Sequence, residues 1–133
     1  MYTDYSAANI RSLFHDASYW IFIMIRGKTF AEMALSFPGT QQTQHFERIG
    51  FKVIGKRMFA TYLAENNTAN IFLTIEEQAV FCEMDGINIY AVPNKWGQKG
   101  ATTFDLNKVP KEIVMEALLS AYNEVLKPKN KKW

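Results

Sequence analysis

Cysteine is nearly absent from this sequence: Cys82 stands alone among 133 residues. An intrachain disulfide and a cysteine-rich metal site are therefore excluded, and a reducing, cytoplasmic setting fits. Long apolar runs are missing too. The longest, residues 19–25, stops at Arg26 and falls well below the roughly 18 residues that would suggest a membrane span. Asp4 and Asp16 precede that run and no small-residue cleavage site follows it, so neither a signal peptide nor a membrane partner is expected. The chain also lacks GxSxG, a Walker loop, HExxH and a glycine-rich dinucleotide motif, and no spacing ties His15, His45 and Cys82 together. Acid–base and nucleophilic catalysis have no visible carriers. The expectation is a protein that is not an enzyme and uses no cofactor. Net charge is small as well: a formal value of +2 and an isoelectric point near 8.6 fall short of the strongly basic signature of a nucleic-acid binder.

What is present is apolar. The chain is 48% hydrophobic and 14% aromatic, which excludes a disordered polypeptide and supports one domain with a real core. The charges are unevenly spread. Residues 44–63 hold Arg48, Lys52, Lys56 and Arg57 against Glu47 alone, a balance of +3. Residues 64–86 hold Glu65, Glu76, Glu77, Glu83 and Asp85 with no basic residue, a balance of −5. Residues 87–133 carry eight basic side chains against four acidic ones. A dipolar surface is expected.

Along the chain, Ile10, Leu13, Phe14 and Ala17 have helical spacing over residues 6–17. Residues 19–25 read as a buried strand or a second short helix. Thr29 and Glu32 match a TxxE capping box, followed by the apolar stripe Phe30, Met33, Ala34 and Phe37 and a stop at Pro38-Gly39. Strands are expected at residues 43–48, 50–54, 57–63 and 70–73, with Asn66-Asn67 in the turn before the last. A second capping box, Thr74 and Glu77, opens a helix to about Met84, which Gly86 ends. Residues 87–92 and 101–106 read as strands joined by the loop PNKWGQKG. Pro110 suits the first turn of a last helix, with Ile113, Ala117, Leu118, Ala121, Tyr122 and Val125 as its buried stripe. Short strands with tight turns imply an antiparallel sheet, with helices covering one face in an α+β two-layer sandwich.

Residues 50–63, GFKVIGKRMFATYL, carry the sharpest local signal. A two-residue type II′ turn at Gly55-Lys56 would pair Val53 with Met58, Lys52 with Phe59 and Phe51 with Ala60. Alternation then places Phe51, Val53, Met58, Ala60 and Tyr62 on an apolar face, and Lys52, Ile54, Arg57, Phe59 and Thr61 on a mixed basic and aromatic one. The first face buries; the second is available to bind.

Residues 30–129 resemble the MmcQ/YjbR-like family of small bacterial proteins. The resemblance rests on ALSFPGT at 34–40, His45-Phe46, FKVIGKRMFA at 51–60, EEQ at 76–78, WGQKG at 96–100 and AYNEVLKPK at 121–129, in that order and spacing. It implies a CyaY-like (frataxin-type) architecture and a DNA-binding role through a double-wing sheet. Ala101 stands where family members tend to have Trp. The resemblance divides the chain into an extension (1–27), the family domain (28–126) and a basic tail (127–133). Two readings of the extension stand, an added packed element or residues upstream of a start at Met24.

The candidate nucleic-acid surface combines Lys52, Lys56, Arg57 and Phe59 on the hairpin with Lys95, Trp96 and Lys99 in the loop. The cations would clamp phosphates while Phe59 or Trp96 stacks on a base. Solvated lysines and a Trp96 packed beneath its own loop are the alternative. Lys127, Lys129, Lys131 and Lys132 would add non-specific affinity or only solubility. The acidic helix residues Glu76, Glu77, Glu83 and Asp85 invite comparison with the acidic edge of frataxin-type proteins, but Glu76 and Glu77 sit where the helix dipole already favours negative charge, so no metal is expected. His45 and Phe46 could line a small pocket. Two further roles stay open: a protein-interaction module, and a small-ligand site between sheet and helices near His45 and Trp96.

Overall fold

The computed structural model describes residues 24–128. The expected helix at 6–17, most of the 19–25 run, and Lys129, Lys131 and Lys132 lie outside them. In order come α1 (Gly27–Leu35), β1 (Thr40–His45), β2 (Arg48–Val53), β3 (Met58–Leu63), β4 (Thr68–Phe72), α2 (Ile75–Met84), β5 (Ile89–Ala91), α3 (Lys95–Gln98), β6 (Ala101–Asp105) and α4 (Lys111–Leu126). The strands form one antiparallel sheet in the order β1-β2-β3-β4-β6-β5. The α+β class with an open antiparallel sheet is as the sequence predicts. Among the described residues no helix is long and apolar enough to cross a membrane.

The three longer helices cover one face of the sheet. The α4 stripe of Ile113, Val114, Ala117, Leu118, Ala121, Tyr122 and Val125 is buried and packs across β2, β3 and β4. Pro110 sits at its N-cap rather than inside the first turn. On α1, Phe30 meets Phe51 edge-on at 5.7 Å and stacks on Tyr62 at 5.9 Å. On α2, Phe81 meets Phe104 at 5.9 Å. These pairs join all three helices to a single core.

The Thr74 capping box forms as its spacing predicts. The Glu77 N–H donates to Thr74 Oγ1 at 3.1 Å, and the Thr74 N–H donates to Glu77 Oε1 at 2.9 Å. Thr74→Ala would leave the Glu77 N–H without its acceptor, while the residue-74 N–H keeps Glu77 Oε1, and should cost about 1 kcal/mol, seen as a lower urea midpoint at constant slope.

The Thr29 box does not form. Helix α1 begins at Gly27, with Arg26 at the N-cap and no side-chain cap. Tertiary bonds explain the earlier start. The Ile25 N–H donates to the Leu106 carbonyl at 2.8 Å and Asn67 Nδ2 donates to the Ile25 carbonyl at 3.0 Å, so the chain is anchored just before Gly27 and Thr29 falls inside the first turn.

The expected strand at 43–48 is also corrected, because it runs through the β1–β2 turn. Phe46 takes a positive φ of 56° there, an uncommon conformation for a bulky residue. Gln44 Nε2 donates to the Phe46 and Arg48 carbonyls at 2.6 and 3.3 Å and closes the corner.

The β2–β3 turn closes between Val53 and Arg57, with three residues inside it rather than two. The Lys56 N–H donates to the Val53 carbonyl at 2.8 Å, and the Val53 N–H reaches the Arg57 carbonyl at 3.4 Å. Gly55, with φ 80°, is thus the third residue of the turn, the type II position, not the first position of a type II′ turn. The added loop residue is absorbed by a bulge: Lys52 pairs with Met58, while Phe51 still pairs with Ala60. One unpaired residue in β3 exchanges the faces of its neighbours. Phe59 turns into the core and Met58 turns out.

Candidate binding groove

The sheet face opposite the helices holds a groove of about 660 Å³. Strand register builds its floor. Thr61 on β3 stands between Gly50 on β2 and Asn70 on β4, and Asn70 stands beside Thr103 on β6. Gly50 has no side chain, and a Cβ there would overlap Met58 Sδ. The Met58 thioether therefore lies over Gly50 and, with Phe72 and Val92, supplies apolar lining.

Cations line this apolar surface. Arg48, Arg57 and Lys99 all face the groove, and no Asp or Glu does so among the described residues. None of the three is ion-paired within the described residues, where the one ion pair joins Lys127 to Glu124. Arg48 Nε donates to Thr61 Oγ1 at 2.8 Å. Its Nη2 is shut off from solvent and has no hydrogen-bond partner among the described residues. Burial lowers the Arg48 pKa from the ordinary guanidinium value, and the neighbouring Glu47 charge partly offsets that. The guanidinium stays charged, because arginine does not deprotonate in proteins.

Aromatic side chains line the groove at the β1–β2 turn and at α3. Phe46 at the β1–β2 corner is 83% exposed and meets His45 edge-on at 5.1 Å. Trp96 on α3 is 58% exposed, and Lys99 Nζ lies 5.3 Å from its ring centroid. Asn94 Oδ1 accepts from the Trp96 N–H at 2.8 Å and starts that short helix, which holds the indole out over the groove rather than beneath its loop.

The residues singled out from sequence divide between groove and surroundings. Arg57, Trp96, Lys99, His45 and Phe46 lie together along the groove. Lys52, Lys56 and Lys95 do not line it; Lys52 is half-buried opposite Met58, and the other two are exposed. Phe59 is a correction. It is fully buried on the helix side, edge-on to Phe37 at 6.2 Å and to Tyr122 at 5.9 Å, so it cannot stack on a ligand. Thr61 lies on the hairpin face that the sequence leaves available to bind, whereas Arg48 and Asn70 are not singled out from sequence for this role. Arg48 contributes to the local +3 balance, but its contact with Thr61, 13 positions away, depends on strand pairing.

Two of the four acidic residues in and after α2 are committed elsewhere: Glu77 to the capping box, and Asp85 to the Ile87 and Asn88 N–H groups at 3.1 and 3.0 Å. Among the described residues no three His, Cys, Asp or Glu side chains converge as metal ligands would. Burial pushes the Cys82 thiol pKa up, away from nucleophilic character.

By sequence, no protein-family model and no curated protein matches the chain. Its fold is similar to the crystal structure of protein DR2400 from Deinococcus radiodurans, a DUF419 domain, with a TM-score of 0.68 and 24% identity over 82% of this chain and 84% of that one. At that identity the likeness shows the fold and carries no activity with it.

Proposed function

We propose that this is a non-catalytic, cytoplasmic binding protein of MmcQ/YjbR-like type that takes single-stranded DNA across the open face of its sheet. The observation that carries the reading is a groove that among the described residues is lined by three cations, no carboxylate and the apolar side chains of Met58, Phe72 and Val92. Duplex DNA would bring phosphates to Arg48, Arg57 and Lys99 but no flat apolar surface to Met58, Phe72 or Trp96. An unstacked base supplies that surface, and its backbone supplies the phosphates.

Oligonucleotide anisotropy under salt titration tests this. Three phosphate contacts on a single strand give a slope of log K against log[salt] of about −2. Single strands should bind tighter than the matching duplex. Arg57→Glu with Lys99→Glu should weaken binding more than tenfold with an unchanged melting temperature, since both side chains are exposed; Lys56→Glu with Lys95→Glu should have a far smaller effect. Equal duplex affinity, or indifference to the first pair, would overturn the reading. The volume of the groove, about 660 Å³, lies within the range of small-molecule sites and favours a free anionic ligand as the second reading.

A further inference from the structure

The polarity of the groove floor can be read atom by atom. Thr61 Oγ1 already accepts the Arg48 Nε–H at 2.8 Å, which leaves its own O–H to donate. Thr103 Oγ1 donates to Asn70 Oδ1 at 2.7 Å. That bond orients the amide and leaves Nδ2, with two hydrogens, as the group Asn70 offers the groove. Register sets Thr61 and Asn70 side by side on β3 and β4, and the Arg48 side chain reaches Thr61 from β2. Three adjacent strands therefore turn donors toward one place, one of them a guanidinium that has no carboxylate partner among the described residues, in a partly dry site. Such a cluster is poorly matched by a cation or by a group that can only donate. It complements a compact group with several acceptor oxygens and negative charge.

We propose that Arg48, Thr61 and Asn70 form an oxyanion subsite on the groove floor that takes the phosphate of a nucleotide. The nearby Trp96 and Phe72 surfaces receive its base. The inference rests on the groove being the binding surface, and it identifies which group of the ligand enters deepest. A phosphodiester within a strand and the monoester of a free nucleotide share this chemistry.

Calorimetric titration of the protein with AMP, adenosine and a dA oligonucleotide tests the subsite, alongside Asn70→Asp. That variant keeps the shape and the acceptor for Thr103 while replacing the Nδ2 donor by a carboxylate oxygen, and Asn70→Ser serves as a second variant without added charge. AMP should bind at least tenfold tighter than adenosine, and Asn70→Asp should remove that advantage while leaving adenosine unchanged. Asn70→Ser should reduce it less. Oligonucleotide binding that falls with Asn70→Asp places a diester in the subsite. Oligonucleotide affinity no better than that of AMP, with the AMP result intact, keeps the subsite and overturns the single-strand reading. Oligonucleotide binding indifferent to Asn70→Asp, with the AMP result intact, keeps the subsite for a monoester and overturns the strand's entry into it; an AMP advantage indifferent to Asn70→Asp, or equal affinity for AMP and adenosine, overturns the subsite whatever becomes of the strand. Absence of binding by all three probes overturns both.

Discussion

Phe59→Ala should lower the stability of the folded chain by about 3–5 kcal/mol, the range for truncating a buried phenylalanine, and depress the melting temperature by on the order of 10 °C or more. The side chain is fully buried and packs edge-on against both Phe37 of the segment after α1 and Tyr122 of α4. Those two rings stack on each other at 4.8 Å, and the Tyr122 hydroxyl donates to the Pro38 carbonyl at 2.7 Å. The neighbours are thus held from two sides and cannot collapse into the vacated volume, which pushes the cost toward the upper part of the range. Chemical denaturation of Phe59→Ala and of the milder Phe59→Leu gives the measurement. The contrast with Arg57, two positions earlier, is the sharper test of the β3 bulge. Arg57→Ala should leave stability within about 0.5 kcal/mol and act on binding instead. If Phe59 lay on the open face beside Arg57, as strict alternation from a two-residue turn requires, Phe59→Ala too would leave stability nearly unchanged and act on binding.

The burial of Phe59 shows where sequence reasoning holds and where it stops. The stripe of α4 and the capping box of α2 are local patterns of a few residues, and both are present at the predicted positions. The Phe51–Ala60 pairing is also legible, because the added loop residue and the added β3 residue compensate by the time the strands reach it. Between those two points the period-2 pattern carries no mark of the extra residue, so every face assignment from Arg57 to Phe59 depended on the turn type. Thr29 and Glu32 have the right spacing for a cap, yet bonds from Leu106 and Asn67 decide where α1 starts. The corner at Phe46 lacks a Gly, Pro or Asn signal altogether. The groove divides the same way. Side chains in local basic or aromatic clusters, Arg57, Trp96 and Lys99, are visible in the sequence. The Arg48–Thr61–Asn70 row exists only once β2, β3 and β4 are in register, and a Thr or Asn in a strand looks ordinary until its neighbours across the sheet are known.

Gly100→Ala should unfold or severely loosen the junction that carries the groove's aromatic wall, at a cost of about 3 kcal/mol or more from combined strain and overlap. Gly100 has φ 118°, a region closed to residues with a Cβ, and a Cβ there would run into the Leu73 carbonyl at the end of β4. The backbones cannot separate cheaply. The Leu73 N–H donates to the Gly100 carbonyl at 3.2 Å, the Gly100 N–H to the Gly97 carbonyl at 3.1 Å, and Gln78 Nε2 to the Gly97 and Ala101 carbonyls at 2.9 and 3.1 Å. Relieving the overlap therefore pulls α3 away from β4 and α2 together, and with it Trp96 and Lys99. Two other glycines separate the causes. Gly86→Ala, where a Cβ would meet only the Cys82 carbonyl at 3.7 Å, should be close to neutral. Gly55→Ala, with positive φ but open space around it, should cost about 1 kcal/mol from strain alone. In urea denaturation the three should rank Gly86, Gly55, Gly100, and Gly100→Ala should also lose most oligonucleotide affinity while Gly86→Ala keeps it. A Gly100→Ala protein as stable as the parent would mean that β4 and the α3 loop do not approach as closely as this fold requires, and the groove would lose the wall that Trp96 and Lys99 provide.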